Sequence, residues 1–199
     1  MNPALTARLR RFPDVGMPPT LHSADVSYAV DDTPVGRILL ACTDSGALVA
    51  SRYVPDEAVE AGTLDKLSRA VSPRIVRRPR ALDQARRELD DFLAGRRSDF
   101  DLRLDLALAT AFQSSVLRVL AARVGYGHQA TYGELAGWVD HPRAARAVGA
   151  ALRTNPLCVV LPCHRVVGAS GALTGYAGGL AAKAYLLDLE SRAVRPSGP

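Results

Sequence analysis

The sequence predicts a mixed α/β (α+β) chain in two parts, a first half built on an antiparallel strand meander and a helical second half that carries a helix-turn-helix. Three observations point there. Short apolar stretches near the start are separated by turn signals, the pattern becomes helical at Thr110 and stays so, and two short helical segments flank the turn Asp140-His141-Pro142.

The 199 residues are enough for two compact halves, expected at 25–108 and 109–193, with a flexible Pro-rich extension over 1–24 and a tail over 194–199. A hydrophobic content of 48% with 23% charged residues describes a soluble globular chain rather than a disordered or membranous one. No apolar run approaches the roughly 20 residues that a membrane span needs. Arg8, Arg10 and Arg11 are followed by no apolar stretch, so no secretory signal is expected and the location reads as cytoplasmic. The three cysteines make an odd count, which argues against a disulfide framework and leaves thiol chemistry open. A net charge of +5 permits a nucleic-acid partner without requiring one.

In chain order, 26–30, 38–42 and 47–54 read as strands joined at Asp31-Asp32-Thr33-Pro34 and Asp44-Ser45-Gly46. A helix around 58–71 and a short strand at 74–77 follow. Leu82, Ala85, Leu89 and Leu93 recur at helical spacing and Gly95 supplies the stop, which predicts a helix over 82–93. Phe100, Leu102, Leu104 and Leu106 alternate with charged or polar positions and read as a half-buried strand leaving the first half.

The second half opens with a helix whose face is Phe112, Val116, Leu117, Leu120 and Val124, broken at Gly125-Tyr126-Gly127. Thr131 and Glu134 stand at capping-box spacing before a short helix ending at Trp138. A further helix over 143–153 ends at Thr154-Asn155-Pro156, because the residue before proline is pushed out of the helical region. Ala144, Ala145, Ala147, Gly149, Ala150 and Ala151 leave that helix almost without bulk. Such a surface either packs tightly inside the fold or lets the backbone approach another molecule closely.

The run 157–161 reads as a buried strand that delivers Pro162-Cys163-His164-Arg165 at its end. Thiolate is the reactive form of cysteine, and a free thiol with a pKa of about 8.5 needs a nearby base or positive charge to reach it at neutral pH. His164 is adjacent, although neighbours on an extended segment face opposite ways, so a relay through water suits it better. Glu190, near the end of a helix over 180–190, is the candidate acid that orients the imidazole. Considered alone, Cys163 reads first as a buried structural thiol, the role that Cys42 and Cys158 fit in their apolar runs. Cys158, Cys163 and His164 lack the Cys-x2-Cys spacing of a zinc site, and His22, His128 and His141 are scattered, so no metal is expected.

Beyond these residues, Pro162-Cys163-His164-Arg165-Val166 resembles the active-site signature of the O6-alkylguanine-DNA alkyltransferase family, also called methylated-DNA–protein-cysteine methyltransferases. The resemblance extends to Ala130-Thr131-Tyr132-Gly133-Glu134-Leu135-Ala136, Ala144-Ala145-Arg146-Ala147-Val148-Gly149, Arg153-Thr154-Asn155-Pro156, and the stretch 171–190 with Tyr176, Gly178-Gly179-Leu180 and Lys183. It covers 112–190 well and the meander around Thr33-Pro34-Val35-Gly36 more weakly.

The resemblance implies a ribonuclease-H-like first half and a DNA-binding second half. It implies irreversible transfer of an alkyl group from O6-alkylguanine, and from O4-alkylthymine, in double-stranded DNA to Cys163, once per molecule and without a cofactor. By the same carry-over His164 takes the thiol proton through a water, Glu190 steadies the imidazolium, and Tyr132 helps rotate the nucleotide out and donates to the departing guanine. Arg146 fills the vacated stack, while Ala144, Ala145, Gly149, Ala150 and Arg153 meet the minor groove. Asn155 braces the turn, Tyr176 walls the base pocket, backbone groups of Cys163, Val166 and Ala177 read the guanine edge, and Lys183 supports the pocket. The expected state is a monomer in solution, with cooperative binding on DNA left open. Gly125 stands where proline is common in the family and Leu117 where tryptophan is frequent. A DNA-binding lesion sensor that does not react, and a cysteine hydrolase built on Cys163, are the competing functions.

Overall fold

The computed structural model describes residues 25–194; the extension expected over 1–24 and residues 195–199 of the tail lie outside the described residues. Strands β1 (Val26–Thr33), β2 (Gly36–Thr43) and β3 (Leu48–Tyr53) form the expected antiparallel meander. Helix α1 (Glu57–Ala70), N-capped by the Asp56 side chain, then returns the chain to β4 (Ile75–Arg77), which pairs parallel with β1. The sheet order is therefore β3-β2-β1-β4, with β2 internal.

Burial on both faces explains why β2 is an unbroken apolar run rather than an alternating one. Ile38, Leu40 and Cys42 face helix α2 (Asp83–Leu93), where they meet Leu89, Phe92 and Leu93. Leu39 and Ala41 face the other way, into a separate cluster with Leu67 of α1. A 3₁₀ turn over Pro79–Leu82 leads into α2, and Gly95, at φ 71°, closes it in the left-handed conformation that glycine adopts without strain.

Residues 100–106 do not form the expected strand. Their only ladder contact is a bridge between Leu104 and Leu48, carried by Leu48 N–H to the Arg103 carbonyl at 2.7 Å and Asp105 N–H to the Leu48 carbonyl at 2.9 Å. Further along, β3 pairs instead with the Leu157 segment through Ser51, and the 100–106 segment stays extended without becoming a strand. Leu104 is exposed while Phe100, Leu102 and Leu106 pack on the core.

The second half holds α3 (Ala111–Arg123), β5 (Ala130–Thr131), α4 (Tyr132–Trp138), α5 (Ala145–Arg153), β6 (Val166–Val167) and α6 (Gly179–Val194). Thr110 caps α3, and Thr131 with Glu134 completes the capping box of α4. Helices α4 and α5 are the two arms of the helix-turn-helix; α5 begins at Ala145, two residues later than its sequence pattern suggests. The run 157–161 is buried but is not a strand. Leu161 N–H turns back to the Leu157 carbonyl at 2.8 Å, with Val159 at φ 70°, a conformation in which a β-branched residue is strained. One apolar core joins the halves, with Tyr53 and Phe92 of the first in the same cluster as Leu117, Leu157, Cys163 and Leu186 of the second.

Candidate active site

The turn around Asn155 organises the site. Its side-chain oxygen accepts from Leu157 N–H at 2.9 Å, and its amide donates to the Leu161 carbonyl and the Cys163 Sγ, each at 3.1 Å. One buried asparagine thus ties both ends of the strained turn and also touches the sulfur. The first half supplies the floor. Ser51 of β3 exchanges backbone bonds with Pro156 and Cys158, and its hydroxyl donates to the Cys158 carbonyl at 2.8 Å.

Cys163 opens a single 3₁₀ turn, Cys163–Arg165, which turns consecutive side chains away from one another. His164 is fully buried, and its Nε2 lies 2.8 Å from a Glu190 carboxylate oxygen on α6. Glu190 also takes both ends of the Arg165 guanidinium, at 2.9 to 3.1 Å, and Gly127 N–H at 3.0 Å. Arg165 completes its set by donating to the Val124 carbonyl at 2.8 Å. Its charge is therefore spent on Glu190 rather than on the thiol.

These contacts fix the charge states. Burial opposes ionisation of Glu190, but the bonds from His164 and Arg165 outweigh it and hold the carboxyl below its ordinary range. Burial likewise favours neutral imidazole and lowers His164, against the pull of Glu190. A neutral ring beside a carboxylate must place its proton on Nε2, leaving Nδ1 as a bare acceptor. Among the described residues, Nδ1 is the one buried side-chain nitrogen or oxygen without a protein partner. Cys163 is lowered from its usual value, first by the adjacent Cys158 thiol and then by the Asn155 amide and the Lys183 charge, against the effect of burial.

Around the sulfur, Lys183 is buried and donates to the carbonyls of Val166 at 2.6 Å and Thr174 at 2.9 Å. Its ammonium stands 6.0 Å from the Tyr132 ring centre, and the Tyr132 hydroxyl accepts from the Thr174 hydroxyl at 3.3 Å. The Tyr176 hydroxyl is 3.2 Å from that of Tyr53, with the rings edge to face at 5.6 Å. Gly178 lies on the Tyr53 ring so closely that a Cβ there would sit 2.5 Å from it.

Of the residues singled out in the sequence, Asn155, Cys163, His164, Glu190, Tyr176 and Lys183 converge in this buried cluster, and Val166 joins them through the carbonyl held by Lys183. Tyr132 is attached through Thr174, and Ala177 is exposed beside Tyr176. Arg146, Ala150 and Arg153 lie exposed on α5, Ala144 and Ala145 are half-buried at its start, and a Cβ added at Gly149 would lie 3.6 Å from the Tyr132 ring. Sequence reasoning missed Tyr53, Ser51 and Thr174, and gave Arg165 and Cys158 no part in the site. Arg165 carried a signal as the cation beside His164, but its partner was hidden. Tyr53 and Ser51 carried none, since they lie more than 100 residues away in the chain. Among the described residues no group of three or more His, Cys, Asp or Glu side chains is placed to hold a metal ion, and no helix is long and apolar enough to cross a membrane.

Comparison with known proteins is consistent across both halves. Residues 26–106 match the ribonuclease-like domain of 6-O-methylguanine DNA methyltransferases, and residues 111–192 match their DNA-binding domain. A methylated-DNA–protein-cysteine methyltransferase of Methanosarcina acetivorans is 38% identical over 163 residues, which span 82% of this chain and 97% of that one. The protein of the same name from Mycolicibacterium paratuberculosis is 39% identical, over 84% and 93%. Among solved structures, OGT of Mycobacterium tuberculosis in complex with DNA aligns with a TM-score of 0.71 at 35% identity, covering 84% of this chain and 94% of that one.

Proposed function

The chain belongs to the 6-O-methylguanine DNA methyltransferase family, and from that premise we propose that it repairs alkylated double-stranded DNA by taking the alkyl group of O6-alkylguanine, and of O4-alkylthymine, onto Cys163. Each molecule acts once, because a thioether offers no ready hydrolytic exit. The observation that carries the proposal is the arrangement at the sulfur: Cys163 held by Asn155, beside a neutral His164 whose proton is fixed by Glu190 and whose Nδ1 is free to accept.

In the proposed step, the thiol proton passes through a water to His164, and the imidazolium formed is balanced by Glu190. The Cys163 sulfur attacks the alkyl carbon in line, the bond from that carbon to O6 breaks, and its electrons go to the guanine. Tyr132 donates a hydrogen bond to N3 of the departing guanine, so that the base never bears a full negative charge. The base must first be flipped out, at a cost of a few kcal/mol in lost stacking, with Arg146 filling the gap. The near absence of bulk on α5 supports close approach to a minor groove through Ala150, Gly149 and the flanking Arg153. The expected division of labour places the boundary between the halves at 108–109 and has the protein act as a monomer in the cytoplasm, where reduced thiols persist.

Duplex DNA carrying a labelled O6-methylguanine tests the proposal. Label is expected on the protein and lost in Cys163→Ala. Label that remains on DNA points to a non-reacting sensor, and release of free methanol over many turnovers points to a hydrolase; either overturns the transfer.

A further inference from the structure

Cys158 is a buried nucleophile that the transfer step leaves unused. Its sulfur donates to the Asn155 carbonyl at 3.3 Å, and the Asn155 amide donates to the Cys163 sulfur at 3.1 Å, so both thiols are fastened to one asparagine. Its backbone is fixed as well. Cys158 N–H donates to the Ser51 carbonyl at 2.8 Å, its own carbonyl accepts from the Ser51 hydroxyl at 2.8 Å, and it bridges to Leu161, two residues before Cys163. The left-handed Val159 turns the chain between the two cysteines, and both sulfurs meet Asn155, Cys158 at its carbonyl and Cys163 at its side-chain amide. A thiol held this way keeps one freedom, rotation of its proton about the Cβ–Sγ bond. Against a neutral Cys163 that proton rests on the Asn155 carbonyl. Against a thiolate, the ionised sulfur is the stronger acceptor and the proton turns to it.

We propose that Cys158 is a positioning residue for alkyl transfer, a second thiol that joins the Asn155 amide in donating to the Cys163 thiolate and so poises the nucleophile before DNA arrives. It rests on Cys163 being the alkyl acceptor. No bond is made or broken at Cys158, and its proton stays in place. Hydrogen bonding with Cys163, then burial and the Cys163 charge, raise Cys158 well above its ordinary value, so the two thiols do not compete as nucleophiles. Other groups facing the pair keep their roles when Cys158 is changed. Lys183 on α6 supplies positive charge from its two carbonyl anchors. His164 is held neutral, Tyr53 of β3 and Tyr176 are kept protonated by burial, and Arg52 of β3 acts on Cys158.

The test compares full-length wild type with Cys158→Ala and Cys158→Ser. Two rates are followed from about pH 6 to 10: alkylation of Cys163 by iodoacetamide without DNA, read on the Cys163 peptide, and single-turnover methyl transfer from a duplex. Loss of the donor in Cys158→Ala moves the inflection of both profiles up by about one pH unit. The rate at neutral pH falls roughly tenfold and is regained above the new inflection. Cys158→Ser, which keeps a donor, falls between. If Cys158→Ala does not fold, Cys158→Val, close to the thiol in bulk and without a donor, takes its place. An unchanged inflection, or the same loss at every pH, overturns the proposal. A shifted iodoacetamide profile in a protein that never accepts methyl from DNA leaves the thiol pairing standing and removes the transfer function instead.

Discussion

Glu190 shows how one side chain can set the state of a site from a distance. Its two oxygens accept from buried His164 and Arg165 and from half-buried Gly127, and that concentration of donors keeps it ionised. The consequence is a pH dependence of stability with a definite sign. His164 titrates below its ordinary 6.5 in the folded chain, so as pH falls past 6.5 the unfolded chain takes up a proton that the folded chain refuses. Stability is lost from that point downward until His164 protonates in place. Glu190, also lowered, adds its own loss further down, through and below its ordinary 4.5. In His164→Gln the loss between about pH 6.5 and 5 should disappear while the steeper loss at lower pH remains, as read by melting temperature against pH. A slope equal to wild type across that window would contradict a buried neutral imidazole. Tyr132 belongs to the same scale. Tyr132→Phe is expected to slow methyl transfer by about tenfold or more while duplex affinity changes by less than about threefold, since the phenol acts on rotation and on the leaving base. Equal losses in stopped-flow transfer and equilibrium binding would remove that role.

At the level of elements, the turn over 155–165 is an N-terminal as well as a C-terminal construction. The edge of β3 holds it by backbone bonds and by the buried Ser51 hydroxyl, so Ser51→Ala is expected to cost about 1–2 kcal/mol in urea unfolding and to slow transfer as the turn loosens. Unchanged stability would mean that the turn holds itself. Helix α5 makes the opposite case, an element whose exposed face does nothing for the fold. Ala150→Leu should leave the melting temperature within about 1–2 °C of wild type, because surface changes rarely exceed ±0.5 kcal/mol. It should weaken duplex binding at least about tenfold in a fluorescence titration, by holding the helix off the groove. These two elements also mark where the sequence was legible. The capping box at Thr131 and Glu134, and the small residues of α5, speak through local chemistry and were recovered. The run Leu157, Cys158, Val159, Val160, Leu161 has the composition of a strand, but the Asn155 side chain captures Leu157 N–H and Val159 turns left-handed, neither of which composition records. At 100–106 the alternation was real, yet a strand also needs a partner along its length, and beyond Leu48 the strand β3 pairs through Ser51 with Leu157 instead.

For the whole molecule, the two halves were legible as patterns but their dependence was not. Period-two and period-3.6 signals separate a strand-bearing first half from the helical remainder. No local signal says that Tyr53 stands over Gly178 and bonds Tyr176, or that Ser51 carries the active-site turn, because such contacts join residues more than 100 positions apart. The candidate site was accordingly legible through its resemblance to a family and through the chemistry of Cys163, His164 and Glu190, while its support from the first half appeared only in three dimensions. The central claim, one alkyl group moved to one sulfur of an otherwise intact molecule, is tested most directly by mass spectrometry after incubation with excess duplex containing O6-methylguanine. The account predicts a single methyl increment on the whole protein, no further gain with time, and that increment on the peptide containing Cys163 and not on those of Cys42 or Cys158. Unmodified protein, an increment on another residue, or repaired DNA exceeding the protein in amount would contradict it.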